Sequence, residues 1–202
     1  MLRFSLWDMT VLIDFSAPAW LALLAIMLPR AVLWQTLAAA LLHESAHLLA
    51  MYFTHQRPQS MQVSAAGLCL HMRADELCPL GKHCAVLLSG PLANLLAAAV
   101  FLLCGCTGAA RAGLSLGVLN LLPFSGTDGG SLVYVLLSHR LLQTHPARIL
   151  PTVRAVSLLT CAVLGGLFLA AKTDSLPLWG ILLYLLAGSV TEREKKIIKK
   201  KE

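Results

Sequence analysis

Six apolar stretches of this chain are candidates to cross a lipid bilayer as helices, and nothing else in the sequence constrains the fold as strongly. They fall at residues 11–28, 31–53, 82–106, 113–138, 153–171 and 176–190, the last short enough either to cross with little tilt or to reach only partway. The hydrocarbon core of a bilayer offers a backbone no hydrogen bonds. A spanning segment must therefore satisfy its own, as a helix of about 20 residues does. Breaks rich in Pro, Gly and polar residues separate the stretches at 29–30, 56–79, 107–112, 139–151 and 173–177. Charged residues make up only 13% of the chain and hydrophobic ones 57%, roughly half the charged share of a soluble domain. The expected fold is an all-α polytopic membrane protein of about six transmembrane helices.

The basic residues give this layout a direction. With six spans, Arg3, Arg57, Arg73, Lys82, Arg140, Arg148, Arg154 and the tail (Arg193, Lys195, Lys196, Lys199, Lys200, Lys201) share one side. Arg30, Arg111 and Lys172 lie on the other, so 13 of the 16 Lys and Arg residues are on one face. Cytoplasmic loops carry such an excess, which places both termini in the cytoplasm. A five-span layout would scramble the asymmetry. The chain carries a net charge of +6, and six of its 16 Lys and Arg residues lie in the tail; a solvated segment beside anionic lipid explains them more simply than a nucleic-acid arm, and no nucleic-acid partner is expected. Asp8 and Asp14 make a poor start for a signal peptide. The six cysteines include no CxxC pair and read as small apolar fillers.

The chemistry sits in the second span, in His43-Glu44-Ser45-Ala46-His47. Histidines at i and i+4 project from one helix face, since a turn takes 3.6 residues. Their imidazoles can share one zinc ion, and Glu44 can act on water beside it as general base. An ionisable side chain at mid-span costs roughly 2.5–3.5 kcal/mol on insertion scales, so such residues are functional by default.

A catalytic zinc needs a third protein ligand and one open position. Asp128, in the run Asn120 to Gly130, is the other carboxylate far inside an apolar stretch. The second and fourth spans run in the same direction. Counting from their outer ends at residues 31 and 113, the histidine motif and Asp128 lie at matching depth. Pro123, Gly126, Gly129 and Gly130 break or kink the helix there, which at that depth is tolerated only against protein or a water-filled cavity. A hydrolase needs such a cavity.

The motif in the second span, Asn120-x-x-Pro123-x-x-x-x-Asp128-Gly129 in the fourth, and Ser89-Gly90-Pro91-Leu92-Ala93-Asn94 between them resemble the site-2 protease family of intramembrane zinc metalloproteases. The sporulation-type branch, whose members process a membrane-tethered sigma-factor precursor, is the most similar. The resemblance implies one zinc per chain held by His43, His47 and Asp128, with Glu44 as general base. It implies cleavage of transmembrane or membrane-tethered proteins in regulated proteolysis, under a membrane-bound regulator, in a bacterial cell membrane. It also implies an organisation: an accessory helix in 1–30, a three-helix catalytic core in 31–139, two further helices in 140–191 and the basic tail 192–202. Ser125 and Thr127 depart from the family's more frequent Pro and Leu. No PDZ segment and no nucleotide-sensing domain is expected.

Asn94 and Asn120 admit two roles, hydrogen-bonding a substrate carbonyl and its developing oxyanion or joining helices to one another. In Met61–Arg73 the apolar residues alternate and change phase at Gly67, as two short strands joined by a tight turn would require. That pattern suits a small membrane-associated β-hairpin able to pair with an unwound substrate, and equally an ordinary cytoplasmic hairpin. Two other functions remain compatible with the residues: a metal transporter, which has no need of Glu44, and a catalytically silent scaffold that keeps zinc for stability.

Overall fold

The computed structural model describes residues 2–6, 9–56, 58–64, 67–72, 79–124, 126–142, 144–170, 180 and 182–183. Ser125, the basic tail and most of the stretch 176–190 lie outside these residues. The chain divides into two compact units, Met1–Leu119 and Asn120–Glu202.

The first unit opens with two strands, β1 (Leu2–Leu6) and β2 (Met9–Ile13), paired antiparallel with Leu2 opposite Ile13. This corrects the expectation of a span starting at residue 11. Thr10, Val11 and Ile13 are β-branched and stiff at χ1, which favours a pleated surface. The helix that follows, α1 (Ser16–Met27), has only 12 residues. At 1.5 Å per residue that is about 18 Å, short of the ~30 Å of a bilayer core. Pro18 is accommodated in its first turn, where the N–H has no intrahelical partner.

Next comes α2 (Arg30–Phe53), 24 residues long. It stops in a left-handed turn: His55 has φ 58, and the Gln56 N–H returns to Met51 O at 2.9 Å. Strands β3 (Pro58–Ser64) and β4 (Gly67–Met72) follow, antiparallel, with Ser64 opposite Gly67. β3 also runs parallel to β2, Val11 beside Met61, giving one sheet of order β1-β2-β3-β4.

Helix α3 (Leu80–Leu103), also 24 residues, contains Pro91. It ends at Cys104-Gly105-Cys106, where Gly105 takes φ 76 and the Cys106 N–H bonds Phe101 O at 2.8 Å. Glycine is needed there because a Cβ disfavours the left-handed region. Cys104 and Cys106 are exposed, so they are parts of a helix stop rather than the apolar fillers expected of them. The chain re-enters a helix at once in α4 (Thr107–Leu121), inside the break expected at 107–112. Two glycines one turn apart let α4 approach α3 closely. A Cβ at Gly113 would lie 3.1 Å from Asn94 O, and one at Gly117 would lie 3.1 Å from Pro91 O.

In the second unit the stretch expected to continue to residue 138 is interrupted. Residues 122–124, 126 and 127 are non-helical, and α5 (Asp128–Leu141) starts afresh. A 3-10 turn at Pro146–Arg148 leads into α6 (Ile149–Ala170). Phe124, fully buried, packs with Cys161 and Leu182, flanked by Leu122, Leu164 and Phe168. The break is thus anchored by its own aromatic residue.

Among the described residues, two helical segments are long and apolar enough to cross a membrane, Leu80–Leu103 and Pro146–Ala170. α2 matches α3 in length, but its histidines and glutamate dilute its apolar character.

Candidate metal centre

The first unit builds its site on one stripe of α2. The buried residues of that helix are Ala39, His43, His47 and Met51, spaced by four so that they form a single face. His43 is 5% and His47 6% exposed. Two buried imidazoles need partners for their ring nitrogens, and α3 supplies them. Val86 O lies 2.7 Å from His47 Nδ1, and Ser89 Oγ donates to the same carbonyl at 2.7 Å. A carbonyl can only accept, so His47 Nδ1 carries the proton and Nε2 keeps its lone pair.

His43 Nε2 faces that lone pair at 3.2 Å. On the other side of its ring, Asn94 Nδ2 is 3.2 Å from Nδ1. The rings meet edge to face, with centroids 4.8 Å apart. Two nitrogens bound to one tetrahedral ion at about 2.0–2.1 Å would be roughly 3.3–3.4 Å apart. The observed separation is therefore close to that of two ligands on a shared zinc, and the pair fits the metal that the sequence implies. With a metal on Nε2 of both rings, His43 Nδ1 would hold its proton and the Asn94 carboxamide would turn its oxygen toward it. Partners of this kind fix a ligand's tautomer and orientation.

The close approach of α3 depends on Gly90. A Cβ at that position would lie 2.7 Å from His47 Cε1 and 2.8 Å from His43 Cε1, closer than such atoms can be. Glu44, between the histidines in sequence, is half-buried on α2.

The second unit presents Asp128 as the first residue of α5, half-buried. Thr127 caps this helix: its Oγ1 accepts from the Gly130 N–H at 3.2 Å and donates to Leu122 O at 2.6 Å. A carboxylate in the first turn is favoured by the positive end of the helix dipole. Gly129 is required because a Cβ there would overlap the Leu121 carbonyl. Ser157 of α6, fully buried, donates to Pro123 O at 2.8 Å and so satisfies a carbonyl freed by the break. Asn120 is half-buried in the last turn of α4.

Of the residues singled out in the sequence, His43, His47 and Asn94 are brought together within the first unit; Asp128 and Asn120 belong to the second. Gly90, Ser89, the Val86 carbonyl, Thr127 and Ser157 also take part, and none of them stands out individually in the sequence. Gly90 sat within a motif already noted, and the Gly113-x-x-x-Gly117 spacing was readable as a close-packing signal. Ser157 lies 34 positions from Pro123, and nothing local announces that pairing.

No family model matches the sequence, and no curated protein matches it. Among solved structures, the chain is similar to a site-2 protease from Methanocaldococcus jannaschii, with a TM-score of 0.65. The match covers 95% of this chain and 94% of that one at 16% sequence identity. At that identity the likeness is one of fold: the chain has the fold of a membrane protease.

Proposed function

We propose that the protein is an intramembrane zinc endopeptidase that hydrolyses peptide bonds of membrane-embedded or membrane-tethered proteins. The observation that carries this reading is the pair of Nε2 atoms converging at 3.2 Å on α2, with Glu44 next to the first of them, in a chain with a site-2 protease fold. His43 and His47 would hold the metal, with Asp128 as the proposed third ligand. Its support is its matching sequence depth, its place at the start of a helix directly after a break, and the Thr127 and Ser157 hydrogen bonds that fix that break.

Zinc in such a site supplies Lewis acidity toward water and toward the peptide carbonyl. The Glu44 carboxylate takes a proton from the attacking water and returns it to the leaving amine nitrogen. Val86 O and Asn94 hold the two imidazoles in the orientation the reaction needs. Asn120 has two candidate roles, substrate carbonyl binding and helix joining. A helical substrate must unwind first, because its carbonyls are otherwise occupied by helix hydrogen bonds.

Regulated proteolysis that releases a membrane-tethered transcription-factor precursor is the role proposed from the sporulation-type resemblance, in a bacterial cell membrane with both termini cytoplasmic. Zinc content and cleavage, measured together on detergent-purified protein, test the reading. Wild type and Glu44→Gln should each hold about one zinc per chain, Asp128→Ala should lose it, and only wild type should cleave. Metal transport unaffected by Glu44→Gln would favour a transporter, and zinc bound without cleavage a silent scaffold.

A further inference from the structure

The first unit also contains a cavity of about 430 Å³ between α2, α3 and α4, within the size range of pockets that hold small ligands or large side chains. Its room comes from short side chains on facing helices, Ala38 and Ala39 on α2 and Ala97 on α3, with Leu42 and Phe101 completing apolar walls. Trp34, 69% exposed, lies on its lining at the outer side. Asn94, fully buried, lies on its inner side. One end of the Asn94 carboxamide is 3.2 Å from His43 Nδ1. The other end, Oδ1, has no hydrogen-bond partner among the described residues. Leu42 and Ala39 are the residues one and four positions before His43 on the same helix. Asn94 therefore lines the cavity and also contacts the Nδ1 side of the His43 ring.

The geometry points to this cavity as the pocket for a large aliphatic or aromatic side chain of the substrate, at a residue flanking the scissile bond. The inference rests on the peptidase reading and names the substrate class of that same site. Two occupants could fill an apolar space inside a membrane, a lipid acyl chain and a peptide side chain. Asn94 Oδ1 is already buried and unpaired among the described residues, and an acyl chain, having no polar group, leaves the desolvation penalty of that atom uncompensated. An extended peptide brings backbone N–H and C=O groups with its side chain. A small turn of the carboxamide would let such a group pair its free end in either of the amide's orientations. The chemistry of the pocket thus favours a peptide.

The test uses the full chain in proteoliposomes with a model transmembrane substrate. Each residue flanking the mapped cleavage point is changed in turn to Ala, Leu or Phe. At one flanking position wild type should prefer Leu or Phe over Ala by at least about tenfold in kcat/KM. Ala97→Phe, which fills the cavity, should reduce that preference to within about threefold; Ala109→Leu serves if the first variant does not fold. An unchanged preference in a cleaving, zinc-loaded variant overturns the pocket and leaves the peptidase reading intact.

A binding arm separates the two. In Glu44→Gln protein with Trp7, Trp20 and Trp179 changed to Phe, an apolar pentapeptide carrying bromophenylalanine should quench Trp34 fluorescence saturably. Ala97→Phe should weaken this at least about tenfold. Quenching by vesicles of brominated phosphatidylcholine that the peptide does not displace would make a lipid chain the occupant and overturn the proposal, as would no saturable quenching. If no substrate is cleaved by any form, the peptidase reading falls, and the quenching result still decides the pocket.

Discussion

Replacing Gly90 with alanine probes the metal centre without touching a ligand. The added Cβ would meet His47 Cε1 at 2.7 Å and His43 Cε1 at 2.8 Å, whereas such contacts ordinarily fall at about 3.5–4.0 Å. Both rings must then retreat by roughly 0.7 Å or more, or α3 must move away from α2. Metal–ligand distances tolerate only about ±0.2 Å. Forcing each imidazole off its rotamer costs on the order of 0.5–1.5 kcal/mol, about 1–3 kcal/mol for the pair. At 1.36 kcal/mol per decade this is a loss of about 5- to 150-fold in zinc affinity. Competition against a chromophoric chelator, with detergent-purified protein, measures that affinity directly. Gly81→Ala, on the same helix, is the control, because a Cβ there meets nothing within 4 Å. A Gly90→Ala protein that bound zinc as tightly as wild type would refute the reasoning that this glycine makes room for the two rings.

The remaining expectations concern the base, the break before Asp128 and the substrate. Glu44→Gln should retain zinc while cleavage falls by at least about 10²–10⁴-fold; appreciable turnover by this variant would remove Glu44 as the proton carrier. Ser157→Ala leaves the Pro123 carbonyl without its buried donor and should destabilise the protein by about 1–3 kcal/mol, read as a lower Tm in detergent. Thr127→Val removes the cap of α5 and should cost about 0.5–2 kcal/mol, with Thr127→Ser restoring most of it; equal Tm values for the two variants would contradict the capping role. In the substrate, changing a glycine near the scissile bond to leucine should slow cleavage, since it strengthens the helix that must unwind, and an unchanged rate would count against local unwinding.

What was legible in the sequence was local. His43 and His47 are four residues apart, so helix geometry alone places them on one face, and the structure brings their Nε2 atoms to 3.2 Å. The Pro and Gly run at 123–130 announces a break, and residues 122–124, 126 and 127 are non-helical. The strands Leu2–Leu6 and Met9–Ile13 were not foreseen, because five mostly apolar residues show too few periods to separate a strand from the start of a helix. The parallel pairing of Val11 with Met61 joins segments fifty positions apart, and no local pattern encodes it. Cys104 and Cys106 looked like core material by composition. Their place is set instead by the left-handed turn at Gly105, which closes α3 and leaves both exposed. Thr127, a departure from the resembling family, serves here as the cap of α5.

The most direct test of the central claim is intact-mass analysis of the products formed when the purified protein and a model transmembrane substrate share a proteoliposome. The account predicts two complementary fragments from wild type, their junction inside the membrane-spanning segment of the substrate, with none from Glu44→Gln or after zinc chelation. Fragments from Glu44→Gln, a junction outside that segment, or no fragments from zinc-loaded wild type across a panel of substrates would contradict it.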